Sequence, residues 1–154
     1  MSRWLVELIR YINRKDWWHV PPVDPRAYEK RGKFLAWSFG AAEFYGRPLD
    51  QPVRVYIQNP LVGDEPTVER ALFGREINKD WPDGHVIQQR LALDAKMRRV
   101  ALRKGYDSIV MMSTPRFRTF ATLGKVPRPM ELNILRPVTC GRCGHKRGEG
   151  RSSV

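Results

Sequence analysis

Apolar side chains recur at the spacing of an α-helix in two long parts of the chain. The first lies near the amino terminus, at residues 3–14, and predicts a short amphipathic helix. The second runs from Val86 to Lys104 and is predicted to be the longest helix. Its apolar stripe consists of Val86, Leu93, Met97 and Val100. A third helix is expected from about Pro66 to Phe73, because Asp64 can cap it and Gly74 can end it.

Short apolar or alternating runs predict four strands between these helices. The runs are Lys33–Ser38, which Gly32 opens, Val53–Ile57, Ser108–Met112 and Leu132–Leu135. Residues 40–46 suit one or two helical turns, and the arginine-bearing segment 113–129 is predicted to be a polar loop. Helices and strands do not alternate regularly, so an α+β domain with a small β-sheet is favoured over a doubly wound sheet.

Length and composition indicate one domain, residues 1–137, followed by a basic and flexible tail, residues 138–154. A chain of 154 residues with 42% hydrophobic content can build a single core. No apolar run approaches the roughly 20 residues that a bilayer span requires, so no membrane association is expected. Glu7 and Arg10 interrupt the apolar run near the start, which is unlike a signal peptide. With only two cysteines, both in the tail, the sequence predicts a cytoplasmic protein.

The net charge of +12 indicates an anionic partner. A surface of this kind attracts nucleic acid, acidic proteins or phosphorylated ligands through counterion release and steering. One hypothesis is therefore a non-catalytic nucleic-acid-binding protein whose phosphate contacts come from Arg98, Arg99, Arg103 and Lys104. Net charge alone does not name the ligand, so this hypothesis stands beside a catalytic one.

Three separated segments resemble the ADP-ribosyltransferase fold, in its poly-ADP-ribose polymerase and diphtheria-toxin-like branch. GKFLAWSFGAAEFYG is similar to the family segment that carries two aromatics, and Phe34 and Tyr45 stand eleven residues apart in it. PRPMELNILRP is similar to the segment in which the catalytic glutamate, here Glu131, begins a strand. WWHVPP offers His19 for the histidine of the first strand. The segments PVRVYIQNPL and ALRKGYDSIVMM resemble segments of phage and polymorphic-toxin relatives of that family, which suggests a phage or mobile-element origin.

The resemblance implies a small split β-sheet with a few flanking helices. It also implies an enzyme that binds NAD and transfers ADP-ribose to a protein or nucleic-acid acceptor. Phe34 and Tyr45 would hold the nicotinamide, His19 would bind the adenosine ribose, and Glu131 would stabilise the positive charge that develops when the nicotinamide bond breaks. The chain departs from the family pattern in several places. Phe34 replaces the usual tyrosine, Val20 follows His19 where glycine is usual, and Pro129 stands where the arginine-modifying branch has Gln or Glu. These departures leave an inactive relative of the fold as one alternative. Another is that both rings are ordinary core residues.

The tail contains Cys140, Cys143 and His145, which resemble half of a zinc knuckle. Structural zinc sites need four ligands. Three ligands in one tail do not close such a site, so zinc is not expected, and the alternative is a basic tail with two free thiols.

Overall fold

A computed structural model describes residues 2–137 of the protein. The helices of this part are α1 (Arg3–Arg14), α2 (Ala27–Arg31), α3 (Phe39–Ala42), α4 (Glu65–Phe73), α5 (Val86–Arg103) and α6 (Thr114–Leu123), and a 3-10 helix, Glu43–Tyr45, continues α3. The strands are β1 (Trp18–His19), β2 (Lys33–Ala36), β3 (Pro60–Gly63), β4 (Ser108–Met111) and β5 (Glu131–Ile134). No helix within residues 2–137 has the length and apolarity needed to cross a membrane.

The five strands form one mixed sheet in the order β1-β2-β5-β4-β3. The pairs β1–β2, β2–β5 and β5–β4 are antiparallel, whereas β3 and β4 are parallel. The parallel pair needs a long crossover, and α4 and α5 both lie in the chain between β3 and β4. The prediction of an α+β domain with a small β-sheet is confirmed.

Two hydrophobic clusters form the core, and alternate residues of the strands contribute to each. The first joins α1 and α6 to the sheet through Leu8, Ile12, Phe120, Leu35, Val110 and Leu132. The second joins α4 and α5 to it through Val68, Leu72, Leu93, Met97, Leu61 and Ile109. Because neighbouring strand residues point to opposite faces of a sheet, the helices cover the sheet on both sides.

The predicted strand Val53–Ile57 is wrong. This segment is extended but makes only a single bridge, between Val53 and Trp17. The side-chain amide of Asn13 on α1 donates to the Ile57 carbonyl over 3.0 Å, and its oxygen accepts the Ile57 amide over 2.8 Å. The backbone groups of Ile57 are therefore satisfied by a side chain, and the chain enters the sheet only at Pro60.

The predicted loop 113–129 is also wrong in its first half, which forms α6. Ser113 occupies the N-cap position, Pro115 lies in the first turn, and Gly124 ends the helix with a positive φ of 70°. Phe120 is buried in the first core cluster, and Phe117 packs against it. These two rings, three residues apart on one face, give the helix the apolar contact that stabilises it.

Candidate functional site

A cavity of about 630 Å³ lies between β2, β4 and β5 of the sheet and α5. The segment from Trp18 to Val23, the end of α2 and Tyr45 contribute further walls. The polar or aromatic side chains that line it include Arg31, Phe34, Tyr45, Glu65, Arg90, Asp94, Glu131 and Asn133. The volume falls in the range of small-molecule sites, about 300–1,000 Å³.

The strand register brings Phe34 and Glu131 to the same face of the sheet. Phe34 is directly opposite Asn133, and Ala36 is directly opposite Glu131, in the antiparallel β2–β5 pair. Residues two apart on a strand share a face, so Phe34, Ala36, Glu131 and Asn133 form one surface. On the other side of β5, Met111 of β4 is also opposite Glu131. The small side chain of Ala36 leaves space beside the carboxylate.

Tyr45 reaches this surface from the 3-10 helix that follows α3. Ser38 caps α3 by accepting a hydrogen bond from the Ala41 amide over 3.1 Å. At the other end of this short unit the Tyr45 hydroxyl donates to Oε2 of Glu131 over 2.8 Å. Burial, reinforced by the hydrogen bond to Glu131 and by its charge, raises the pKa of Tyr45 to about 12. Tyr45 therefore stays protonated at neutral pH and donates to the carboxylate.

The faces of both predicted ligand-holding rings are free of aromatic partners. The ring pairs of residues 2–137 are Tyr11–Trp37, Trp17–Trp37, Trp18–Phe39 and His19–Tyr28. Phe34 and Tyr45 belong to none of these pairs, and 44% and 67% of their surfaces, respectively, are exposed. They are therefore not core residues, as the alternative interpretation of the sequence would require.

Asp94 and two arginines form a charged wall of the same cavity. Burial raises the pKa of Asp94 to about 6, against the opposing effect of the positive charges of Arg90 and Arg31, while the negative charges of Glu65 and Glu131 raise it further. Arg90 and Asp94 stand four residues apart on α5, so they share one face of that helix. The cavity thus combines carboxylates with guanidinium groups that reach it from α2 and α5.

Glu65 begins α4 and is held in ion pairs. Its carboxylate lies 2.9 Å from Nζ of Lys79 and 3.5 Å from Nη1 of Arg90. Burial opposes ionisation, but the hydrogen bond from Lys79 and the charges of Arg90 and Lys79 outweigh it and hold the pKa of Glu65 below its usual range. Glu65 is therefore ionised and already paired.

A second cavity of about 440 Å³ adjoins the first. The two cavities share the lining residues Ala36, Tyr45, Glu65, Met111 and Glu131. The remaining wall of the second cavity consists of Trp37, Ala41, Phe44, Met112, Ser113, Arg116, Pro129 and Met130. The hydrogen-bonded pair of Tyr45 and Glu131 therefore lies at the boundary between two chambers.

His19 does not line either cavity, whereas the family resemblance implies a ligand role for it. Its side chain is only 3% exposed. Nδ1 lies 2.9 Å from the Phe34 carbonyl oxygen and Nε2 lies 2.7 Å from the Tyr28 hydroxyl. Burial lowers the pKa of His19, so the ring is neutral at neutral pH. With both nitrogens engaged internally, His19 ties β1 to β2 and α2 and acts on the site only by fixing the strand of Phe34.

The predicted nucleic-acid residues on α5 divide into two kinds, and none lines either cavity. Nε of Arg98 donates to the Leu135 carbonyl over 2.8 Å, and burial lowers the pKa of this arginine. Arg98 therefore fixes the end of β5, and its role as a phosphate contact stays a prediction. Arg99, Arg103 and Lys104 are exposed.

The predicted zinc ligands Cys140, Cys143 and His145 lie outside the described residues. Within residues 2–137 no three His, Cys, Asp or Glu side chains are grouped so that they could hold a metal ion.

The sequence did not single out Arg31, Glu65, Arg90, Asp94 or Arg116 as site residues. One available signal was the pair Arg90 and Asp94, two charges on the helix face that also carries Met97 of the apolar stripe. A charged pair on a helix is ordinarily solvated, so this pair alone did not mark a cavity.

Comparison of the chain with protein-family models, with curated proteins and with solved structures finds no match. The chemistry of the site therefore has to be argued from its own residues.

Proposed function

We propose that the protein is an ADP-ribosyltransferase that binds NAD in the larger cavity and transfers ADP-ribose to an acceptor. One observation carries the proposal: Phe34, Tyr45 and Glu131, separated by up to 97 residues of chain, line one cavity. They are also the residues for which the sequence resemblance implies a role in NAD chemistry.

The walls of the cavity suit the two halves of NAD. The nicotinamide ring is flat and electron-poor, and the exposed rings of Phe34 and Tyr45 offer it aromatic faces, which contribute about 0.5–1.5 kcal/mol beyond burial. The pyrophosphate is anionic, and Arg31 and Arg90 supply cations on the same cavity wall. Guanidinium groups bind phosphate oxygens through paired hydrogen bonds.

Glu131 is assigned to the step in which the bond between ribose C1′ and the nicotinamide nitrogen breaks. The electron pair of that bond leaves with nicotinamide, and positive charge develops on the ribose. A carboxylate beside the ribose stabilises this charge. The Tyr45 hydroxyl, at 2.8 Å from Oε2, holds the carboxylate in one orientation, so that little reorganisation is needed at the moment of reaction.

Nicotinamide release from NAD tests this proposal. We expect Glu131→Gln to lower the release rate by about 10²- to 10³-fold, the usual effect of removing one electrostatic contact to a transition state. Glu7→Gln is the matched control, since Glu7 is an exposed glutamate of α1 that lines neither cavity, and it should behave as wild type. Equal rates for both variants, or no release by wild type with protein and nucleic-acid acceptors present, would refute the enzymatic proposal.

A second candidate function, non-catalytic nucleic-acid binding, is favoured by the exposed Arg99, Arg103 and Lys104 on α5. Binding of this kind weakens steeply with salt, because each phosphate contact releases counterions. We expect a steep salt dependence that flattens in a triple Arg99→Gln, Arg103→Gln, Lys104→Gln variant. Oligonucleotide affinity that does not change between low and moderate salt would exclude this function.

A further inference from the structure

The second cavity carries positive charge on one side and the reactive carboxylate on the other. Arg116 lines it, with Nη1 donating to the Ser113 hydroxyl over 3.2 Å and Nε donating to the Arg128 carbonyl. Within residues 2–137, Nη2 of Arg116 has no hydrogen-bond partner, and no ion pair includes Arg116. These two hydrogen bonds hold the guanidinium in place while leaving donors available.

Two further cations lie behind the same wall. The ammonium of Lys15 is 4.1 Å from the ring centroid of Trp37, which lines the cavity. Tyr11 stacks on Trp37 at 5.8 Å, and the guanidinium of Arg128 is 5.6 Å from the Tyr11 ring. Neither cation takes part in an ion pair among residues 2–137. This end of the cavity therefore favours an anion.

An exposed aromatic ring stands at the entrance of this cavity. Phe44 lines it and remains 91% exposed. The neighbouring Trp37 is engaged with Tyr11, Trp17 and the Lys15 ammonium. Among the described residues, Phe44 and Tyr45 are the rings of this cavity that belong to no aromatic pair, and Tyr45 is already assigned to the nicotinamide. Base–aromatic stacking contributes about 1–3 kcal/mol per base and tolerates any base.

Among residues 2–137, both carboxylates that line the cavity already have partners. Glu131 accepts a hydrogen bond from Tyr45, and Glu65 is paired with Lys79 and Arg90. Pro129 stands two residues before Glu131 and adds no further acidic or amide side chain beside it. The acceptor that this arrangement suits is one that is already an anion.

We propose that the second cavity binds the terminal phosphate of a single-stranded nucleic acid as the acceptor of ADP-ribose, an inference that rests on the proposed function. Arg116 binds the phosphate, and the terminal base stacks on Phe44. A phosphate monoester is mainly a dianion above its second pKa of about 6, so its oxygen attacks ribose C1′ without losing a proton. The C1′–O bond forms, the C1′–N bond breaks with its electron pair going to nicotinamide, and the phosphate becomes a diester.

The test uses the full-length protein, NAD labelled in its adenosine half, and a single-stranded oligonucleotide with a 5′-phosphate, a 3′-phosphate or no terminal phosphate. Labelled oligonucleotide and released nicotinamide are measured in the same reactions. We expect label only on a phosphorylated end. We expect Arg116→Gln to lower the transfer by about tenfold or more, with nicotinamide release to water retained.

Arg118→Gln is the matched control, because Arg118 is an exposed arginine two residues further along α6 that lines neither cavity. It should transfer as wild type, and Phe44→Ser should lose transfer to the oligonucleotide without losing nicotinamide release. Release of nicotinamide with equal label on phosphorylated and unphosphorylated ends would overturn the acceptor assignment alone. Equal transfer by the Arg116 and Arg118 variants would overturn it as well. Absence of nicotinamide release from every reaction would overturn the proposed function and the transfer step together.

Discussion

Asp94 makes the protein less stable at neutral pH than it would be with a neutral side chain, and this cost can be worked from its pKa. Burial raises the pKa from an ordinary 3.8 to about 6, although Arg90 and Arg31 act in the opposite direction. Each pKa unit corresponds to about 1.4 kcal/mol. The ionised carboxylate therefore costs the folded protein about 3 kcal/mol at pH 7 and above.

The sign of the pH dependence follows from the same shift. The folded state binds the Asp94 proton more tightly than the unfolded state does, so this group stabilises the fold below pH about 4 relative to neutral pH. That stability is lost as the pH rises through about 6. We expect Asp94→Asn to unfold at about the same urea concentration as wild type at pH 4, and to be about 3 kcal/mol more stable at pH 7.5.

Urea unfolding followed by tryptophan fluorescence at several pH values measures this difference. The slope m should be unchanged, since the substitution does not alter the surface exposed on unfolding. Asp83→Asn, at an exposed position in the turn before α5, is the control and should follow wild type at every pH. A stability difference between Asp94→Asn and wild type that does not grow with pH, or an asparagine variant that is less stable at pH 7.5, would refute the reasoning.

Three further substitutions test the site and its scaffold. Tyr45→Phe keeps the ring but removes the hydrogen bond to Glu131, so we expect kcat for nicotinamide release to fall about ten- to hundredfold with KM for NAD nearly unchanged; an equal rise in KM would assign Tyr45 to binding instead. Gly32→Ala places a Cβ against Oδ1 of Asn133 at a positive φ of 87°, and we expect a loss of about 1–3 kcal/mol in urea unfolding, whereas wild-type stability would show that the strands can shift apart. Leu132→Ala empties a position that is fully buried in the first core cluster, and calorimetry should show a loss of about 2–5 kcal/mol; a smaller loss would mean that the core collapses around the site.

Local patterns predicted most of the helices and strands. These elements form their backbone hydrogen bonds locally or within the sheet, and the spacing of their apolar residues shows which face is buried. α5 carries a continuous apolar stripe, and α4 has both its cap and its terminal glycine. The pattern misled at Val53–Ile57, where a side chain of α1 replaces the neighbouring strand. The pattern also missed α6. Ser113, Pro115 and Gly124 mark the start and the end of this helix, but its arginines led to the prediction of a polar loop.

The sequence predicted only those site residues that stand in segments with a recognisable resemblance. Phe34, Tyr45 and Glu131 were named from their segments, and all three line the larger cavity. Arg90 and Asp94 were not, because a charged pair on a helix is ordinarily solvated, and only the packing of α5 against the sheet encloses this one. His19 was predicted to bind a ligand, but its two hydrogen bonds depend on where Tyr28 and the Phe34 carbonyl fall in the fold.

Three carboxylates lie in one cavity of a strongly basic protein, and this limits how Glu131 can raise kcat. Glu65, Asp94 and Glu131 all line the larger cavity, although acidic residues number only 16 against 28 basic ones. In NAD the nicotinamide ring already carries a positive charge, so a carboxylate that interacts equally with the bound ground state and the transition state improves binding without raising kcat. In the proposed reaction the charge moves from the ring to the ribose as the bond breaks.

Glu131 therefore accelerates the reaction only if its carboxylate lies nearer the ribose than the ring. The hydrogen bond from Tyr45 fixes it at the boundary between the two cavities, on the side from which the proposed acceptor approaches the ribose. We expect Glu131→Gln to lower kcat for nicotinamide release with little change in KM for NAD, provided that chemistry is slower than NAD dissociation. A variant that raises KM and leaves kcat unchanged would place the carboxylate at the ring, and the catalytic assignment of Glu131 would then be wrong.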